Sequence, residues 1–299
     1  MSTSPEPGGP PRAEQGGPVF YCQNILKCYE GKPVVRGIGL ELFGGALISL
    51  VGSSGVGKTT LFNVLAGVDR PDEGRIVLGG EDITGVSGRV SYMMQKDLLL
   101  EYRTVLDNVI LPLLIRGAKK QEARDYAAAF FERFGLSGYE RKYPRQLSGG
   151  MRQRAALLRT CLQSASGRAR GPRRGGRFPA PGGTRNAEAP EHPVILLDEP
   201  FSALDALTRR NMQNWFQDII KAPAPGARPL SAVFITHDVE EAIILSDRVY
   251  VLAGKPGMIG AVFDVAASRP RNRDFSLSPE FAALKREIME AVEGKGTAA

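Results

Sequence analysis

Gly52-Ser53-Ser54-Gly55-Val56-Gly57-Lys58-Thr59 follows directly on the apolar run Ala46 to Val51 and precedes a stretch of helical pattern. That order of strand, glycine-rich loop and helix decides the reading of the chain. The glycines let the backbone bend so that successive N–H groups point into one concavity, and the start of the following helix adds its dipole. A polyphosphate is then held by directed donors rather than by bulk charge. In such a loop Lys58 reaches the β- and γ-phosphates and the Thr59 hydroxyl ligates Mg²⁺. The expected ligand is a nucleoside triphosphate with magnesium.

Working outward, the run Val194-Ile195-Leu196-Leu197 delivers two adjacent carboxylates, Asp198 and Glu199, before Pro200. Open α/β sheets place their chemistry at such strand ends. This is a Walker B pattern, in which Asp198 holds Mg²⁺ and Glu199 accepts a proton from the attacking water. Further strand-length runs at Ala232 to Ile235 and Arg248 to Leu252 predict a largely parallel, buried sheet. From about Leu98 to Gln163 the pattern turns helical, with Val105, Val109 and the stretch Ala127 to Phe131, as for a helical subdomain inserted in the sheet order. Ser278-Pro279-Glu280-Phe281 starts another helix, with Ser as N-cap and Phe281, Leu284, Ile288 and Val292 on its apolar face.

Composition bounds the remaining possibilities. A chain of 299 residues, 42% hydrophobic, buries one large core or one core with an attached subdomain. The longest apolar runs, Gly45 to Val51 and Val109 to Ile115, fall far short of the roughly 20 residues that span a bilayer. Residues 1–18 are rich in Pro and Gly and read as a disordered tail rather than a signal peptide or anchor. Cys22, Cys28 and Cys161 lack metal-ligand spacing and fit reduced thiols. The net charge of +7 is unevenly spread, because about Ser164 to His192 holds six arginines against Glu188 and Glu191. Without aromatic and basic residues interleaved, no nucleic-acid partner is expected.

The class narrows at Leu147-Ser148-Gly149-Gly150-Met151-Arg152-Gln153-Arg154. Together with Gln95, Ser202-Ala203-Leu204-Asp205 and Thr236-His237-Asp238, in this order, it makes residues 19–265 resemble the ATP-binding subunits of ABC transporters. The resemblance implies a P-loop NTPase (RecA-like) core of α/β class, with an antiparallel β subdomain and an inserted α-helical signature subdomain at about 97–163. A C-terminal helical extension would cover 266–299.

By the same resemblance ATP is bound through Tyr29, stacked on adenine, and through Gly52, Ser53, Ser54, Gly55, Val56, Gly57, Lys58, Thr59 and Thr60. Thr59, Gln95 and Asp198 would hold Mg²⁺, and Glu199, His237 and Gln95 would be catalytic. Ser148, Gly149, Gly150 and Asp205 would serve the ATP of a second copy in a head-to-tail dimer. The implied partners are a permease and, indirectly, a solute-binding protein, with the subunit peripheral on the cytoplasmic face of the membrane.

Arg103 to Val109, Asp198 to Thr208, Val239 to Met258 and Ser278 to Phe281 are similar to the nitrate/sulfonate/taurine importer group. Lys96 to Tyr102 departs from the commoner sulfonate-type sequence and is similar to some relatives in this group that are proposed to import thiamine precursors and other small metabolites; no substrate is read from a subunit that does not contact it. A soluble ABC ATPase without a permease is the rival reading, and it usually carries two cassettes or a long coiled coil. One departure from the family is length: Asp198 falls 44 positions after Arg154, more than twice the usual interval. The extra stretch, about Ser164 to His192, reads as a disordered insert. It is a tolerated surface loop, a sequence artefact, or an Arg-rich patch for acidic lipid or RNA.

Overall fold

A computed structural model describes residues 17–165, 193–221 and 230–294. The expected tail, apart from 17 and 18, and the Arg-rich stretch from 166 onward lie outside the described residues.

Among the described residues ten strands form two sheets. The smaller is antiparallel, ordered β2 (Lys32–Leu42), β1 (Phe20–Tyr29), β4 (Glu73–Leu78) and β5 (Glu81–Asp82). The larger runs β10 (Met258–Asp264), β9 (Arg248–Ala253), β3 (Leu47–Val51), β8 (Ser231–Ile235), β7 (Val194–Asp198) and β6 (Ser91–Met93). All its neighbours are parallel except the edge pair β9 and β10. The four expected apolar runs are thus β3, β7, β8 and β9, the central strands.

Their continuous apolar character has a direct cause, since both faces of this sheet are covered. Leu47, Ile195, Leu197, Ala232 and Phe234 point into one core with the helical subdomain, while Ile48, Leu50, Val194, Leu196, Val233 and Ile235 point into a second core against the antiparallel sheet. The second core also takes Leu61, Phe62 and Leu65 of α1 (Lys58–Leu65).

Helices α2 (Val105–Val109), α3 (Leu111–Ile115), α4 (Lys120–Phe131) and α5 (Gly149–Ala165) fill the interval between β6 and β7. Thr104 caps α2 by accepting the Asp107 N–H at 3.2 Å, and Asn108, fully buried one turn on, ties this helix to Leu100, Arg103 and Thr104 through its amide. Beyond β7 come α6 (Ala206–Lys221), α7 (Val239–Leu245), α8 (Arg273–Ser276) and α9 (Pro279–Val292). The expected C-terminal helix is α9, with the Ser278 hydroxyl accepting the Phe281 N–H at 3.1 Å and Phe281 and Ile288 buried against α7 and β9. The preceding turn is fastened by Arg271, whose guanidinium donates to the carbonyls of Ile243, Ser246, Val265 and Ala267. Among the described residues no helix is long and apolar enough to cross a membrane.

Candidate functional site

Strand register assembles the site. Asp198 pairs with Ile235, which sets Glu199 beside Thr236 and His237, while Leu197 pairs with Met93, which brings Gln95 to the same edge from the other side. Leu50 also pairs with Ile235, so the loop after β3 opens at the carboxyl ends of these same parallel strands.

The loop between β3 and α1 has the conformation its glycines permit. Gly55 and Gly57 lie at φ +79° and +104°, the left-handed region, and Gly57 gives its carbonyl to the Leu61 N–H at 2.9 Å as α1 begins. A Cβ on Gly57 would sit 2.7 Å from Val35 Cγ1, so the loop is pressed against β2. Lys58 is buried, and Nζ donates to the carbonyls of Gly52 at 2.7 Å and Ser53 at 3.0 Å. Its ammonium therefore lies across the loop mouth. Burial pulls the Lys58 pKa down, against the opposing charges of Glu199 and Asp198. Ser53, Ser54, Gly55 and Thr59 are exposed, and Val56 is buried in the second core.

Asp198 is buried at the end of β7, where its Oδ2 accepts the Tyr92 hydroxyl at 3.3 Å and its carboxylate hydrogen-bonds the Thr59 side chain. Burial first, and then the neighbouring charge of Glu199, push the Asp198 pKa up. Such a crowded pair of carboxylates is an electrostatic deficit that a cation offsets. The Thr59 hydroxyl and the Asp198 carboxylate are oxygen donors of the kind Mg²⁺ takes when phosphate oxygens and water complete its shell, and Gln95, which reaches the adjoining Glu199 from the neighbouring strand end, carries an amide oxygen of the same kind. The residues present fit that ion.

Glu199 has φ +45°, uncommon for a residue with a side chain. Its N–H donates to the Ile235 carbonyl at 3.0 Å and its carbonyl accepts the Ser202 hydroxyl at 3.0 Å, so this backbone is held from both sides. The turn aims the carboxylate into the site, where Gln95 Nε2 donates to Oε2 at 3.2 Å and His237 Nδ1 lies 3.2 Å from Oε1. Gln95, Glu199 and His237, far apart in the chain, thus meet at one carboxylate.

Tyr29 ends β1 with its ring half-exposed, and its hydroxyl donates to Asp69 Oδ2 at 2.6 Å and hydrogen-bonds Thr60 on α1. Lys27 lies over the ring, 5.2 Å from its centroid. The Asp69 bond, then burial, raise the Tyr29 pKa, so the phenol stays protonated. Tyr21 stands eight residues back on the same strand, roughly 25 Å away at strand rise, too far to share a ligand with Tyr29.

The remaining expected residues form a second group. Ser148 accepts the Met151 N–H at 3.3 Å at the start of α5, and a Cβ on Gly149 or Gly150 would meet Leu204 at 3.5 Å or Thr208 at 3.0 Å. Asp205 caps α6 by accepting the Thr208 N–H at 3.0 Å. The start of α5 and the start of α6 therefore pack together, with Ser148, Gly149 and Asp205 exposed. Three polar residues of the site carry no sequence signal: Asp69 behind Tyr29, and Tyr92 with Asn63, whose Oδ1 lies 3.3 Å from the Tyr92 hydroxyl.

Comparison with known proteins gives concordant results. The sequence profile described as ABC transporter matches residues 35–166. The chain is 35% identical to an ABC transporter ATP-binding protein of Methanocaldococcus jannaschii, over 91% of this chain and 90% of that one. It is 38% identical to the formylaminopyrimidine import ATP-binding protein ThiZ of Halalkalibacterium halodurans, over 75% of each. It is 32% identical to the aliphatic sulfonates import ATP-binding protein SsuB of Bacillus thuringiensis, over 88% of this chain and 90% of that one. The fold matches the ATP-binding cassette MJ0796, solved as a dimer in a post-hydrolysis state with ADP and phosphate, at a TM-score of 0.62 and 24% identity, covering 83% of this chain and all of that one.

Proposed function

The chain belongs to the ABC transporter ATP-binding family, and from that premise we propose that it is the ATP-hydrolysing subunit that energises import of a small solute. The observation that carries the reading is the meeting of Gln95, Glu199 and His237 at the mouth of the Gly52 to Thr59 loop, beside Asp198.

The loop N–H groups and Lys58 bind the triphosphate, and Tyr29 offers its ring to the adenine. On binding, Lys58 exchanges the carbonyls of Gly52 and Ser53 for phosphate oxygens. Glu199 accepts the proton of the attacking water at its carboxylate, while Gln95 and His237 hold that carboxylate and orient the water. Thr59, Asp198 and Gln95 would hold Mg²⁺, which when bound neutralises charge on the β- and γ-phosphates. The protein's work on the phosphates is positioning and electrostatics, with the donors fixed before the reaction.

Ser148, Gly149 and Asp205, exposed, and Gly150, buried beside them, form a separate group at the starts of α5 and α6. We assign them to the ATP of a second copy, so that a two-fold dimer makes two equivalent sites. A hydroxyl and amides at a helix start suit a γ-phosphate. The permease would dock on the helical subdomain, and a solute-binding protein would select cargo of the sulfonate or pyrimidine-precursor type that the relatives' names carry.

The test is isolation of the tagged chain from detergent-solubilised membranes of its host. Recovery with a membrane-spanning permease and a MgATPase activity is expected. Recovery only as a soluble particle, with hydrolysis intact, would favour the ATPase without a permease.

A further inference from the structure

The first turn of α6 carries Arg209, which none of the nucleotide contacts uses. Its backbone N–H donates to the Asp205 carbonyl at 2.8 Å and its Nη2 to the Leu204 carbonyl at 3.1 Å, so the guanidinium is braced on the loop Ser202 to Asp205. Nη1 lies 3.7 Å from Asp238 Oδ2. Nε is buried without a hydrogen-bond partner among the described residues.

Asp238 is the residue after His237 and the N-cap of α7. Its Oδ1 accepts the N–H groups of Glu240 at 2.9 Å and Glu241 at 3.2 Å, its own N–H donates to the Thr236 hydroxyl at 3.0 Å, and Oδ2 is left facing Arg209. One turn along α6, Gln213 donates to the buried Glu241 at 3.0 Å. Two residues of one α6 face, four apart, thus clasp the first turn of α7.

These contacts close a ring. Glu199 holds Ser202 through its carbonyl, Leu204 holds Arg209, Arg209 faces Asp238, and His237 returns to the Glu199 carboxylate. A separation of 3.7 Å exceeds a charge-assisted hydrogen bond by almost 1 Å, and a buried guanidinium donor without a partner is costly. A small shift of the Ser202 to Asp205 loop would shorten this contact and draw the His237 turn with it.

We infer that Arg209 is a positioning residue, which transmits the position of the Ser202 to Asp205 loop to His237 through Asp238. The inference rests on the ATPase reading, because His237 matters only if Glu199 activates water. Burial of Asp205 and its neighbours against a second copy would be sensed by Arg209 and passed to the catalytic carboxylate.

The test is a mutant cycle with Arg209→Ala, Arg209→Lys, Asp238→Asn and His237→Ala in the full chain. Asn still caps α7, so Asp238→Asn removes the ion pair without unseating the helix. Arg209→Ala is expected to lower kcat about tenfold, the scale of one positional coupling, with ATP affinity within about twofold of wild type. Arg209→Lys should restore part of the loss, and Arg209→Ala should add little in the His237→Ala or Asp238→Asn background.

A second readout needs no turnover. The chain has two histidines, His192 and His237, so His192→Gln leaves one imidazole to follow by NMR. Loss of Arg209 frees the turn that carries His237, and the imidazole resonances of His237 should shift at constant pH. Equal loss of kcat in the presence and absence of His237, or unmoved His237 resonances, would overturn the inference while leaving ATP hydrolysis by Glu199 intact. A wild type that binds ATP without hydrolysing it would instead refute the ATPase reading, and the His237 resonances would still decide the role of Arg209.

Discussion

Adding one methyl group to Gly57 tests whether the phosphate loop is held in the shape described. At φ +104° a Cβ costs about 1–2 kcal/mol in backbone strain. It would also lie 2.7 Å from Val35 Cγ1 and 3.2 Å from the Val34 carbonyl oxygen, and Val35 is fully buried and has no room to retreat. Overpacking of that kind costs about 1–3 kcal/mol more, so Gly57→Ala should lose about 2–5 kcal/mol in total. If the loop keeps its shape the cost appears as lost stability. If it relaxes, the N–H groups turn from the phosphates and the cost appears in ATP affinity, at about tenfold per 1.4 kcal/mol. Gly55→Ala is the control, because φ is +79° there and nothing among the described residues lies within 4 Å of the added carbon. It should lose only the strain, about 1–2 kcal/mol. Denaturant unfolding and calorimetric ATP titration of both variants give the two parts of each sum. Equal totals for Gly55→Ala and Gly57→Ala would refute the claim that β2 presses on the loop.

Three further outcomes follow from the site. Tyr29→Ala should weaken ATP by about 1–3 kcal/mol, the value of a base stack, while Tyr29→Phe, which keeps the ring and loses the hydroxyl's bonds to Asp69 and Thr60, should keep most of the affinity; equal loss in both by calorimetry would place the contribution in the hydroxyl. Lys58→Ala should lose ATP affinity, and because Lys58 is buried over Gly52 and Ser53, its unfolding midpoint without nucleotide should move too; an unchanged ATP dissociation constant would count against the phosphate role. Glu241 has its pKa raised by burial, so the folded state holds the extra proton and stability falls as pH rises from the ordinary carboxylate value through the folded one. Glu241→Gln, which can still accept from Gln213, should flatten that part of the stability profile, and an unaltered slope would refute the assignment.

The parts of this fold legible in the chain are those whose cause is local. A continuous apolar run followed by Gly or Asp-Glu marks β3 and β7, because both faces of each strand are buried. The antiparallel sheet is less visible: β1 shifts register against β2 between Cys22 and Ile25, again at Lys27 and again at Cys28, so its alternation is broken. Only the family resemblance implies that sheet. The convergence on Glu199 depends on β7 lying between β6 and β8, a long-range pairing that no local pattern encodes. Asp69, Tyr92 and Arg209 are invisible for the same reason, since each acts through a partner at least 29 residues away.

Whether Glu199 drives ATP hydrolysis is decided by steady-state turnover of MgATP in wild type and Glu199→Gln, with ATP affinity and oligomeric state followed on the same preparations. Replacing the carboxylate by an amide keeps its shape and its place between Gln95 and His237 but removes the base. Loss of a general base costs about 10²–10⁴ in rate. Turnover should fall by that factor with ATP affinity retained, and an ATP-bound dimer should accumulate on gel filtration. Hydrolysis by Glu199→Gln near the wild-type rate, from a chain that stays monomeric in MgATP, would contradict this role of Glu199.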